Sequence, residues 1–107
     1  MSRKALAHEA EWLGLIEQLP CIVCEVFHDE YDTPAETHHI DGQTKPDAHL
    51  KTIRLCTKHH SQKDNTRPKR WLSRHGDGKT IFQNRYFHEM DLLKLQQERV
   101  WTMTKKV

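Results

Sequence analysis

Two short pairs constrain this chain more than any other feature: Cys21-x-x-Cys24 and Cys56-x-x-His59. In each, a two-residue gap lets both side chains of a tight knuckle turn toward one ion. Together they supply the four N/S ligands that a tetrahedral zinc takes. All three cysteines of the chain are used in this way. An odd count in a reducing compartment speaks for metal ligation rather than a disulfide framework. Buried free cysteines are common, but that explanation leaves both spacings to accident. Four protein ligands leave no open position, so the expected role of this zinc is structural. Such sites contribute ~10–16 kcal/mol of folding free energy.

The rest of the chain needs such a staple. Its 107 residues suit one domain, with 36% apolar residues against 30% charged. Small, polar chains rarely bury enough surface to fold on a core alone. No apolar run is long enough to cross a bilayer. Met1 to Glu11 reads as a charged helix rather than a signal peptide, so a cytosolic protein without membrane contact is expected. The net charge of +2 hides an asymmetry. Residues 1–50 carry three Lys/Arg against ten Asp/Glu, and residues 51–107 carry fourteen against five. A basic half suggests a polyanionic partner, although charge alone fits a solvated surface equally well. Nine histidines are more than a purely structural domain needs, and suit metal or acid–base chemistry.

Periodicity predicts a helix over Arg3–Leu19, with Leu6, Ala10, Leu13 and Ile16 on one face and Pro20 as the stop. Residues 25–35 read as an acidic, turn-rich stretch. Short strands are expected at Glu36–Ile40 and Thr52–Leu55, joined by the Asp41-Gly42 turn and a polar loop over Gln43–His49. A helix from Thr57 should carry His59, His60 and Asp64. Further helices are expected at Thr80–Phe87 and from an Asp91 N-cap through Arg99, with a frayed tail at Lys105–Val107. The fold class that follows is α+β. It forms a single unit over 1–107: an N-terminal helix at 1–20, knuckles and a strand–strand–helix core at 21–64, then a basic segment and C-terminal helices at 65–107.

Between the knuckles lies Thr37-His38-His39-Ile40, and the second knuckle reads Leu55-Cys56-Thr57-Lys58-His59-His60. A CxxC, a His-His pair ending a strand, and a Leu-Cys-x-x-Cys/His-His opening a helix together resemble the zinc-containing HNH nucleases, the ββα-metal or His-Me finger group. That resemblance implies a metal-dependent DNA endonuclease leaving 5′-phosphate and 3′-hydroxyl ends. It makes His39 the general base, and His38 and His60 ligands of a catalytic divalent ion, Mg²⁺ or another. Imidazole suits the base role because its ordinary pKa, about 6.5, lies near neutrality. Two candidates stand for a further ligand, Asp64 four residues after His60, and His75. The Asn that gives HNH its middle letter lies a few residues before the second knuckle. Here Lys51 stands there with His49 two residues earlier, so the resemblance does not supply the residue that orients His39.

The likeness sharpens along the chain. Met1-Ser2-Arg3-Lys4-Ala5, Cys21-Ile22-Val23-Cys24, Thr33-Pro34-Ala35-Glu36-Thr37-His38-His39-Ile40, His75-Gly76-Asp77-Gly78-Lys79 and Asp91-Leu92-Leu93 follow in the order seen in the phage Ref family, for recombination enhancement function. This resemblance implies a phage or prophage protein acting in the bacterial host cytoplasm. It further implies DNA, single-stranded or in a D-loop, targeted through RecA filaments, with Mg²⁺ beside structural zinc. In the family the His-Gly-x-Gly-Lys segment lies close to the catalytic centre, which favours His75. The chain departs over Ser61–Arg74, which is basic rather than Gly-rich, and it lacks the family's basic N-terminal extension. DNA contact is therefore expected from Lys63, Arg67, Lys69, Arg70 and Arg74. Trp71 among them suits either stacking on a base or a place in the core. Two other readings are a non-catalytic zinc-binding adaptor, which would need only the zinc ligands, and an HNH nickase independent of RecA.

Overall fold

The computed structural model describes residues 7–42, 45 and 47–105. Five helices and a two-stranded antiparallel sheet follow in the order α1 (Ala7–Ile16), α2 (Ile22–His28), β1 (Glu36–His39), a 3-10 turn (Ala48–Leu50), β2 (Thr52–Leu55), α3 (Thr57–His60), α4 (Lys79–Tyr86) and α5 (Glu89–Lys105). This is a small α+β fold, with a radius of gyration of 13.9 Å.

The sheet forms at the two short strands expected, with β1 one residue shorter at its end. Glu36 pairs with Leu55, Thr37 with Arg54, His38 with Ile53 and His39 with Thr52. A two-stranded sheet has two open edges, and unpaired backbone groups there are costly to bury. On β2 the α5 side chain of Gln96 closes that edge: its Nε2 donates to the Thr52 carbonyl, and its Oε1 accepts from the Arg54 N–H. Ile22 and Val23 of α2, Ile53 and Leu55 of β2, Phe82 and Tyr86 of α4, and Leu92 and Leu93 of α5 make the core, with the three cysteines embedded in it.

Several expectations need correction. The buried residues of α1 are Glu9 and Ile16, with Trp12 and Leu13 half-buried and Ala10 exposed. The inward face is therefore rotated from the apolar stripe, and Trp12 is fixed by donating to Thr52 Oγ1 at 2.9 Å. Arg3–Leu6 of that helix, the Met1–Ala5 motif, Gln43, Thr44 and Pro46 of the polar loop, and the tail at 106–107 lie outside the described residues. Residues 22–28 form a helix where turns were expected, because Cys21 Sγ accepts the Cys24 N–H as an N-cap and Asp29 ends the helix in the left-handed region. The helix from Thr57 stops at His60, so Asp64 is not on it. Its end is sealed by the returning chain: Arg74 N–H donates to the His59 carbonyl and His75 N–H to the His60 carbonyl. The last helix begins at Glu89, two residues before Asp91, with the Glu89 N–H satisfied by Gln83 Oε1.

Candidate active site and metal centre

The two knuckles meet. Cys21, Cys24, Cys56 and His59 are all buried and form one group able to hold a metal such as zinc. Cys56 is the N-cap of α3, so His59 three residues on lies over the same face of the first turn. Cys24 and Cys56 sulfurs lie 3.7 Å apart, and His59 Nδ1 lies 3.6, 3.5 and 3.2 Å from the sulfurs of Cys21, Cys24 and Cys56. A tetrahedron with zinc bond lengths has edges of about 3.5–3.8 Å, so the four atoms fit that ion. His28 Nε2 lies 3.3 Å from His59 Nε2, the nitrogen turned away from the cluster. The thiols also show why a cation belongs there. Cys56 is held far below the usual thiol range, at about 3, by the Cys21 thiol and by His59. Cys21, hydrogen-bonded to the Cys56 sulfur and buried, and Cys24, buried, are pushed up. Three crowded sulfurs cannot all ionise without a positive ion among them.

A second group lies at the other end of α3. His38, His60 and His75 can bring their ligand atoms within 4.8 Å of one another, and they run from buried through half-buried to exposed. Ring centroids are 5.2 Å apart for His38–His60 and His38–His75, and 4.8 Å for His60–His75. The fold explains each placement. His38 is buried on β1, and His60 follows His59 of the Cys₃His group on the helix. His75 is drawn beside His60 by the backbone bond that ends α3. Carboxylates hold the outer nitrogens of two rings. Glu89 Oε2 lies 2.6 Å from His38 Nε2, and Glu36 Oε1 lies 3.1 Å from His60 Nδ1. His38 Nδ1 and His60 Nε2 take no part in these pairs. Such carboxylate–imidazole pairs fix the orientation and tautomer of metal-binding histidines. Glu89 is fully buried and also accepts from Arg74 Nε at 2.8 Å. Burial opposes its charge, but His38 and Arg74 outweigh that and hold its carboxyl below the usual range. The His75 imidazole is held below its usual value by desolvation and then by His38 and His60. It therefore tends to be neutral, the form that binds metal.

His39 does not join this group. It is the last residue of β1, next to His38, and its ring turns to a different neighbour. Its Nε2 lies 3.0 Å from Nδ1 of the buried His49. Burial, then His49 and His38, lowers the pKa of His39 and favours its proton-accepting form.

Asp64 lies apart from the His38–His60–His75 group. It is buried and accepts from the hydroxyl and N–H of Thr66 and from the N–H groups of Arg70 and Trp71. Burial resists its charge, but these donors prevail and keep the carboxyl far below its ordinary range. Its place is to shape the loop over residues 64–71. The basic residues divide likewise. Lys69 pairs with Asp77, and Arg74 with Glu89. Lys63, Arg67 and Arg70 are exposed. Trp71 is half-buried outside the core cluster, its Nε1 donating to the Gln62 carbonyl and its ring flanked by Lys58 and Arg70 at 5.1 and 5.5 Å. Gly76 is needed where it stands, because a Cβ there would lie 2.2 Å from Ser73 Oγ. Glu89 lies in no motif that marks it in the sequence, and Glu36, although inside the Thr33–Ile40 motif, is given no role by it. Only their pairing in space reveals them.

A family model described as "Recombination enhancement, RecA-dependent nuclease" matches residues 5–101, which takes in the three-histidine group and both Cys/His knuckles.

Proposed function

The chain belongs to the recombination-enhancement, RecA-dependent nuclease family, and from that premise we propose that it is an HNH-type endonuclease cutting DNA presented by RecA filaments. The observation that carries this reading is the three-histidine group beside a separate, buried Cys₃His group. A zinc-binding adaptor needs only the latter. It would have no use for three more imidazoles, two of them braced by carboxylates.

The Cys21–Cys24–Cys56–His59 group holds structural zinc in this reading, and His38, His60 and His75 hold a catalytic divalent ion. Three imidazoles suit ions such as Mn²⁺ better than Mg²⁺, which prefers oxygen and would complete its shell with water. When bound, the ion neutralises charge on the scissile phosphate and the leaving oxygen. His39 takes the proton from the attacking water at its Nδ1, the nitrogen that His49 leaves open. Lys63, Arg67 and Arg70 lie along the path that leads from α3 and hold the DNA backbone. Trp71, braced by cations, offers a face to an unpaired base. The DNA is single-stranded or a D-loop, and the setting is a bacterial host.

The test is cleavage of single-stranded, duplex and D-loop DNA, with and without RecA filament, by wild type and His39→Ala. Cutting of filament-bound DNA by wild type, and its loss in His39→Ala with unchanged DNA binding, is the expected result. Equal cutting by both proteins would contradict the base assignment. Equal cutting with and without RecA would favour a RecA-independent nickase.

A further inference from the structure

We propose that His49 is a positioning residue for His39, fixing both the tautomer and the aim of the base. The inference rests on the reading of His39 as base and adds a residue to which that reading gives no part. His49 sits in the 3-10 turn before β2 and is 7% exposed. Its Nδ1 lies 3.0 Å from His39 Nε2, with the rings edge-on at 77°. One nitrogen of His39 is thereby committed. A base acting through Nδ1 must begin with its proton on Nε2, so the Nε2–H donates and His49 Nδ1 accepts. That fixes His49 with its own proton on Nε2.

The turn is anchored for this task. The His49 carbonyl accepts from Thr52 Oγ1 at 3.1 Å, and Thr52 Oγ1 accepts from Trp12 Nε1 at 2.9 Å. Leu50 N–H and Lys51 N–H both bond the Asp47 carbonyl, and Ile40 N–H bonds the Lys51 carbonyl across the hairpin end. Three elements thus hold the imidazole that holds the base: α1, the turn and β2. A loosely held acceptor would leave the His39 ring free to rotate and exchange tautomers.

Side-chain geometry gives a sharp test. Asparagine can place an acceptor oxygen where the histidine Nδ1 stands, and glutamine places it near the Nε2 position instead. His49→Asn, His49→Gln and His49→Ala are compared with wild type and His39→Ala for kcat and KM on filament-bound DNA. The His39 ring is followed by ¹⁵N NMR of labelled imidazole without added divalent ion, and folding by thermal melts. General-base catalysis is worth about 10²–10⁴-fold, so misaiming the base should lower kcat about ten- to hundredfold with KM unchanged. His49→Ala and His49→Gln should show that loss and a mixed His39 tautomer. His49→Asn should keep the Nε2–H form and stay within about threefold of wild-type kcat. If His49→Ala fails to fold, the Asn and Gln pair decides by the same two readouts. Wild-type kcat and tautomer in His49→Gln, or equal losses in Asn and Gln, would overturn the inference while a dead His39→Ala keeps the base assignment intact. An active His39→Ala would overturn both.

Discussion

His75 and Asp64 show how much one side chain's surroundings decide. Both are candidates in the sequence, Asp64 by spacing, since it would face the same way as His60 if α3 ran on, and His75 by the resemblance of its His-Gly-x-Gly-Lys segment. Instead α3 ends at His60, and the Asp64 carboxylate is spent on Thr66, Arg70 and Trp71. His75 is brought in by a single backbone bond to the His60 carbonyl. The two substitutions should therefore fail differently. His75→Ala should keep wild-type thermal stability and lose cleavage at limiting divalent ion. Asp64→Ala should melt earlier, with cleavage falling because the loop that delivers His75 loosens. Melting curves beside ion titrations of both variants check this, and a stable, ion-deficient Asp64→Ala would reverse the assignment. The histidine pair and both knuckles are legible in sequence because each is a local pattern. Glu89 was hidden because it meets His38 from the far end of the chain, and nothing local marks a carboxylate that binds a distant imidazole.

At the level of elements, β1, β2 and α4 lie within a residue of where the sequence places them. α2 was obscured by its acidic, turn-prone composition, and a sulfur N-cap on Cys21 is not a cap that sequence rules anticipate. α3 is shorter than its sequence predicts because its stop is tertiary: its last carbonyls are taken by residues 74 and 75. The same return of the chain sorts the basic segment. Lys69 and Arg74 are tied to Asp77 and Glu89, which leaves Lys63, Arg67 and Arg70 as the exposed cations of this segment, the three proposed to hold DNA. Replacing those three together should flatten the salt dependence of log affinity by about two to three units, and weaken all sequences alike. Fluorescent oligonucleotide binding across a salt series, with Ca²⁺ to slow cleavage, measures it. An unchanged slope would place the DNA on another face.

Across the whole molecule two histidine-containing groups sit at opposite ends of the four-residue α3, and the proposed function divides the work between them. The buried Cys₃His group joins α2, α3 and the end of β2 into one core. A structural zinc contributes ~10–16 kcal/mol, as much as the ~5–15 kcal/mol by which whole domains are stable. Stripping zinc, or the change Cys56→Ser, should therefore unfold the chain, read as loss of the cooperative melt and of about one zinc per chain by elemental analysis. A folded, metal-free wild type would refute the staple. The three-histidine group is open toward solvent at His75 and should exchange its ion freely while the zinc stays. The most direct test of that division is cleavage of filament-bound DNA by zinc-loaded protein as Mg²⁺ or Mn²⁺ is titrated, for wild type, His38→Ala and His39→Ala. Wild type should be inactive without added ion and should saturate at lower Mn²⁺ than Mg²⁺. His38→Ala should need about ten- to hundredfold more ion yet recover activity, and His39→Ala should keep the wild-type midpoint at a collapsed plateau. Cleavage by wild type without any added ion, or the same shift in both variants, would contradict a divalent-ion site at His38 and a base at His39.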